Sequence, residues 1–142
     1  MRQAFARGLV MLFCGLALMP LRGQAAEKAP ALIESVPDKA VIYIVRQPMD
    51  SWEPGIVSLD GNQQVATHRN SYYRWEVAPG SHEVAGYAGA GGSVKLSTVA
   101  GKIYFVRYTV LVGRMGGSTT TQLREISEKD GRKLVLQSQP NN

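Results

Sequence analysis

Cysteine is almost missing from this 142-residue chain: the one copy, Cys14, sits inside the first apolar run. A disulfide framework, a cysteine-rich zinc site and a paired-cysteine redox motif are therefore excluded. Histidine is nearly as scarce, with His68 and His82 in different expected elements. A zinc site needs three or four ligands, and this sequence brings no such set together, so neither a metal nor a cofactor is expected. Long apolar runs are also lacking. The longest, Leu9 to Met19, is cut by Pro20 and Arg22 and falls short of the ~20 residues a spanning helix needs. No internal repeat or low-complexity tract is evident, and 44% hydrophobic with 19% charged residues fits one globular domain.

What is present at the start has the layout of an export signal. Arg2 and Arg7 precede the apolar run, and Gly23-Gln24-Ala25-Ala26 follows it, so cleavage is expected after Ala25 or Ala26. Cys14 follows Phe13 in the middle of the apolar core, which does not suit a lipid-anchoring site. The expectation is a periplasmic or secreted protein with no transmembrane segment after cleavage. Losing residues 1–26 removes three of the 16 basic residues and none of the 11 acidic ones, so the net charge falls from +5 to +2. The basic tail residues Arg124, Lys129, Arg132 and Lys133 are interleaved with Glu125, Glu128 and Asp130, which reads as a solvated face. Nucleic acid is not an expected partner, since that would want a concentrated basic stripe.

Residues 27–38, with Pro30 and Pro37, read as a leader. From Ala40, short β-branched and aromatic runs alternate with turn dipeptides, the pattern of an all-β domain over 39–137. Ala40 to Arg46 is apolar on both parities, as in a strand covered on two sides. Ile56 to Leu59 and Gln63 to Thr67 flank Asp60-Gly61 and predict a hairpin. In Tyr72 to Val77, Tyr73, Trp75 and Val77 form the core face, with Tyr72, Arg74 and Glu76 opposite. Pro79-Gly80 predicts a type II turn that returns Ser81 to Ala88 antiparallel to that strand. Residues 88–92 are glycine-rich but lack the Lys-Ser/Thr pair of a phosphate loop, so they read as a hairpin connection. Ser93 to Val99, Ile103 to Val112 and Thr119 to Glu125 supply further strands. Ser127 with Asp130 predicts a helix N-cap, with Ile126, Leu134 and Val135 anchoring a short helix; a final strand at Lys133 to Gln137 is the alternative. Residues 138–142 read as a disordered tail.

Taken in order and spacing, four segments resemble a bacterial family known as domain of unknown function 2846: Ala40-Val-Ile-Tyr-Ile-Val-Arg46, Val57-Ser-Leu-Asp-Gly61, Tyr72-Tyr-Arg-Trp-Glu-Val-Ala-Pro-Gly-Ser-His82 and Ala100-Gly-Lys-Ile-Tyr-Phe-Val-Arg107. The resemblance covers most of residues 38–137. It implies an exported or envelope-associated small β domain, often found in lipoproteins, with no established activity. This chain departs from the lipoprotein members in having no suitably placed cysteine. The Pro-Gly-x-His turn is also similar to that of PEGA-type β-sandwich modules, an analogy of fold alone.

Candidate chemistry is thin. No serine sits in a nucleophile elbow, and acids such as Asp60, Glu76 and Glu83 pair by chance in any small β protein, so an enzyme is not expected. Arg46 and Arg107 end or interrupt apolar strands and are expected to be structural, one of them pairing with Asp60, Glu76 or Glu83; recognition of an anionic ligand is the alternative. His82 is expected to be hydrogen-bonded to a neighbouring strand or to backbone, and His68 to lie in a polar loop. Trp52 lies in the loop Gln47 to Gly55, where it would either close an open end of the sandwich as a lid or, with Tyr72 and Arg74, form an exposed ligand-binding surface.

These readings converge on an antiparallel β-sandwich of about seven strands with a short C-terminal helix. The expected role is a non-catalytic envelope interaction module offering an edge strand or a loop to a protein partner, with β-augmentation one route. Carbohydrate or peptidoglycan binding through Trp52, Tyr72 and nearby arginines is the rival, and a hydrolase ranks behind both.

Overall fold

A computed structural model describes residues 33–87, 92–113 and 117–141. The expected signal segment, most of the leader and most of the glycine-rich connection lie outside the described residues. Nine strands and one helix follow one another: β1 Ala40–Val45, β2 Gly55–Leu59, β3 Gln63–Thr67, β4 Ser71–Val77, β5 Gly80–Gly86, β6 Ser93–Thr98, β7 Ile103–Val112, β8 Thr119–Ile126, α1 Glu128–Gln137 and β9 Gln139–Pro140. They form two sheets, one in the order β8-β7-β1-β4-β9 and the other β3-β2-β5-β6.

The two-sided apolar pattern of β1 has a plain cause: all six of its residues are buried. Ala40, Ile42 and Ile44 face the second sheet together with Trp75, Val77, Val106, Tyr108 and Val110, and meet Val57, Leu59, Val84 and Leu96 across the sandwich. Val41, Tyr43 and Val45 face the other way, alongside Phe105 of β7, where Val135 of α1 packs on them. The five-stranded sheet is thus the middle of three layers.

The β2–β3 hairpin forms as its turn residues dictate. Asp60 and Gly61 take φ of 51° and 71°, and the Asn62 N–H donates to the Leu59 carbonyl at 3.1 Å. The Pro79-Gly80 turn behaves differently from expectation. β5 does not fold back on β4; it pairs with β2 and β6 in the opposite sheet. Gly80 has φ of 142°, a conformation open to glycine alone, and this turns the chain from one sheet into the other. Thr98 Oγ1 holds the corner, accepting from the Gly80 N–H at 3.2 Å and donating to the Gly80 carbonyl at 3.0 Å. The first sheet is also mixed, since β1 runs parallel to β7 and β4 parallel to β9.

The C-terminal segment is a helix, as the capping pattern predicts. Ser127 Oγ accepts from the Asp130 N–H at 3.1 Å, and Val135 is fully buried on the sheet. Residues 138–141 are not a disordered tail. The Gln139 N–H donates to Asn70 O and the Asn141 N–H to Tyr72 O, each at 2.8 Å, while the Asn141 side-chain amide donates to Ala66 O of β3 at 2.7 Å. Among the described residues no helix is long and apolar enough to cross a membrane.

Candidate functional site

Arg46 follows directly on β1 and, by strand alternation, points the same way as Ile42 and Ile44, into the end of the inter-sheet core. Its side chain is wholly removed from solvent. Burying a guanidinium there demands that its donors be met, and they are. Nε donates to Asp50 Oδ2 at 3.1 Å, Nη1 to the carbonyls of Glu53 and Thr67 at 2.9 Å, and Nη2 to the Ser51 carbonyl at 2.8 Å. The partner is therefore Asp50, four residues on, and not Asp60, Glu76 or Glu83.

Asp50 is almost as deeply buried, and it completes a strand as well as an ion pair. β1 runs beside β7 only as far as Val45 opposite Arg107. Past that point the Val110 N–H has no strand on that side, and the Asp50 carboxylate accepts it at 3.1 Å. The same carboxylate accepts the Ser51 N–H at 2.8 Å. Gly55 closes the loop over Tyr108: a Cβ there would stand 2.7 Å from the Tyr108 ring, and the Tyr108 hydroxyl donates to Ile56 O at 3.0 Å.

Residues 47–54 are thus fixed from below while their tip faces solvent. Met49 is 94% exposed and Trp52 77% exposed. Trp52 is not a lid; Arg46 and the loop backbone close that end of the sandwich. The Arg69 guanidinium stacks over the indole, a cation–π contact.

The other expected ligand residues are not gathered there. Tyr72 is half-buried in the layer beneath α1, its ring 5.9 Å from that of Tyr43. Arg74, on the same face, is tied to Glu76. Burial pushes the Tyr43 hydroxyl above its ordinary range, against the opposing pull of Arg74.

His82 is held at both nitrogens by acceptors: Asp60 Oδ2 lies 2.7 Å from Nδ1 and the Ala78 carbonyl 2.6 Å from Nε2. A neutral imidazole has one N–H, so only the imidazolium donates to both. Burial opposes that charge, but the Asp60 bond, the Ala78 bond and the charge of Asp60 together raise the pKa of His82. The Asp60 carboxyl, against its own desolvation, is lowered by His82 and by the Glu83 N–H. The expected hydrogen-bonded His82 is thus a clasp between the β2–β3 turn and the β4–β5 corner. His68 is exposed in its loop, and among the described residues no three of His, Cys, Asp and Glu cluster as a metal site would.

Arg107 is half-buried on the face of β7 beside α1, where Gln47, Asp130, Lys133 and Leu134 join it around an open groove of about 470 Å³. Sequence reasoning missed the roles of Asp50, Arg69 and Met49. A strand-ending arginine followed four residues later by an acid in a proline-containing loop was the available signal for the first.

The family model described as Protein of unknown function (DUF2846) matches residues 37–122, from the turn before β1 into β8. The chain belongs to this family. The matched span of this DUF2846 domain includes Arg46, Asp50, Trp52, His82 and Arg107; α1, Arg124 and β9 lie beyond it. No curated protein matches the chain.

Proposed function

We propose that this DUF2846 domain is an exported, non-catalytic cell-envelope module that binds another protein through residues 47–54. The observation that carries the reading is an exposed Trp52 on a loop whose base is locked by the solvent-free Arg46–Asp50 pair. Trp, Met and Arg are the side chains enriched at the centres of protein interfaces; Trp52 stacks with Arg69, and Met49 is exposed on the same loop as Trp52. A loop fixed in advance loses little entropy on binding, which favours contact by a preformed tip. The export layout of residues 1–26 supports the envelope setting. Two polar side chains that could serve a reaction are engaged in structure, His82 in its clasp and Arg46 in its buried network.

Two alternatives fare less well. An added edge strand would meet partly occupied edges, since Gly92 lies against the Thr121 carbonyl of β8 and Asn141 occupies Ala66 O of β3. A glycan platform keeps Trp52 but loses Tyr72 to the layer beneath α1 and Arg74 to Glu76.

A photo-crosslinking residue placed at Met49 in cells tests the proposal, with one at exposed Val99 as control. A discrete protein adduct from position 49 alone, lost on Trp52→Ala, is expected. Adducts indifferent to Trp52→Ala would refute the loop, and a rise in affinity for cell-wall fragments measured through Trp52 fluorescence would favour the glycan instead.

A further inference from the structure

The residues after Thr119 alternate in charge, which in sequence looks like a solvated face. Strand parity separates them. In β8, Arg124 points to the helix side of the sheet and Glu125 to the opposite side. Across the ladder Arg124 stands directly opposite Arg107 of β7, one pair along from Phe105 and Ile126. The helix covers that neighbouring pair and stops short of the arginines, leaving Arg107 half-buried and Arg124 exposed. Like charges facing each other across a ladder repel.

Among the described residues neither arginine has an ion pair or side-chain hydrogen bond. Two of the nearby acids are occupied elsewhere, while Glu125 also lines one of the depressions. Glu128 accepts from Arg132 at 2.8 Å, and Asp130 accepts the Ser127 hydroxyl at 2.8 Å within the helix cap. Three adjoining depressions of about 470, 360 and 360 Å³ share Arg107; two include Arg124, and the largest adds Lys133. The largest is within the size range of small-molecule sites. Arg107, Arg124 and Lys133 against the carboxylates of Asp130 and Glu125 leave one uncompensated positive charge, beside the apolar side chains of Ile126 and Leu134.

We propose that Arg107 and Arg124 form a binding site for a phosphomonoester that carries an apolar group. Guanidinium forks match phosphate oxygens in paired hydrogen bonds, an anion between the two facing arginines relieves their repulsion, and the apolar group lies along Ile126 and Leu134. The source is either a soluble phosphomonoester or a lipid with a phosphomonoester headgroup. Gln47, Pro48 and Met49 at the start of the Trp52 loop also line the largest depression, but Trp52 lines none of the three, so Trp52→Ala leaves the site intact.

Calorimetric titration of the purified protein at low salt with hexyl phosphate and with inorganic phosphate tests this, alongside flotation with phosphatidylcholine vesicles with and without phosphatidic acid. Saturable binding is expected, tighter for hexyl phosphate than for inorganic phosphate. Arg107→Gln and Arg124→Gln should each weaken it about tenfold or more, while Lys95→Gln on β6 leaves it unchanged. Arg124 is exposed, so its variant keeps the test valid should Arg107→Gln fail to fold. Flotation lost in the same variants assigns the lipid source; hexyl phosphate binding without flotation assigns the soluble one. Absence of saturable hexyl phosphate binding, or equal affinity in Arg124→Gln, overturns the site.

Discussion

Arg46 and Asp50 meet at 3.1 Å with their side chains 0% and 3% exposed, and this pair holds the only strand-end loop that raises a tryptophan into solvent among the described residues. Its energetics follow from burial. Removing one partner strands the other charge where water cannot reach it. Asp50→Asn keeps the shape and loses the charge, and should cost about 3–5 kcal/mol in urea denaturation. Arg46→Lys should not restore stability, because an ammonium cannot span Asp50 and three carbonyls at once. Wild-type stability in either variant would contradict the assignment.

Gly131 gives a case where local and tertiary effects have opposite signs. Helix propensity alone makes Gly131→Ala a gain of about 1 kcal/mol. A Cβ there would overlap Phe105 Cγ and lie 2.5 Å from Phe105 Cβ, so the helix would have to lift off the sheet. The expected outcome is a net loss of about 1–3 kcal/mol by thermal or chemical unfolding. Phe105→Ala in the same chain removes the overlapping Cγ and Cδ1, so Gly131→Ala should cost less in that background than in wild type, giving a measurable coupling between the two sites.

The His82–Asp60 clasp predicts a pH dependence of defined sign. His82 is raised in the folded state, so its contribution is complete below the ordinary imidazole pKa of 6.5 and fades as pH rises through the folded value. Asp60 is lowered, so its contribution is complete above 3.8 and fades as pH falls through the folded value. The stability difference between wild type and His82→Gln should therefore peak between those limits and shrink towards alkaline pH. Asp60 is 41% exposed, so the peak should reach only about 1 kcal/mol. A difference that grows with pH would be inconsistent with the clasp.

Trp52 and Trp75 should report separately. Trp75 is 5% exposed and Trp52 77% exposed, so Trp52→Ala should remove the red-shifted part of the emission and leave a blue-shifted core signal. Stability should change by no more than about 1 kcal/mol, the worth of an exposed stack with Arg69. A large drop would mean that Trp52 is part of the core.

Much of this architecture was legible in the chain because local chemistry dictated it. The double-sided burial of β1, the Asp60-Gly61 turn, the ten-residue β7 and the Ser127 cap follow from periodicity and from φ requirements that few residues meet. Strand pairing was not legible. Pro79-Gly80 carries the signature of a hairpin turn, yet Gly80 serves a change of sheet, and nothing in residues 71–86 distinguishes the two. β9 was hidden for a similar reason, since a two-residue strand made of Gln139 and Pro140 has no periodicity and its pairing depends on Asn70 and Tyr72 being in place. At the candidate site, Arg46 was recognisable as an arginine needing a partner. Its acid was not recognisable, because a strand ending in mid-sheet, which leaves the Val110 N–H for Asp50 to accept, exists only in three dimensions. The exposure of Trp52 was hidden too: average behaviour puts tryptophan inside, and here a smaller core opening was already filled by Arg46.

Native-state amide hydrogen exchange at Ser51 and Val110 tests most directly whether the Trp52 loop is a preformed contact surface. Both N–H groups donate to the buried Asp50 carboxylate, so both should exchange as slowly as the central amides of β7 and should lose that protection together in Asp50→Asn. Exchange of Ser51 at the rate of an unstructured peptide in the wild-type protein would mean the loop is not held, and the account of this surface would fail.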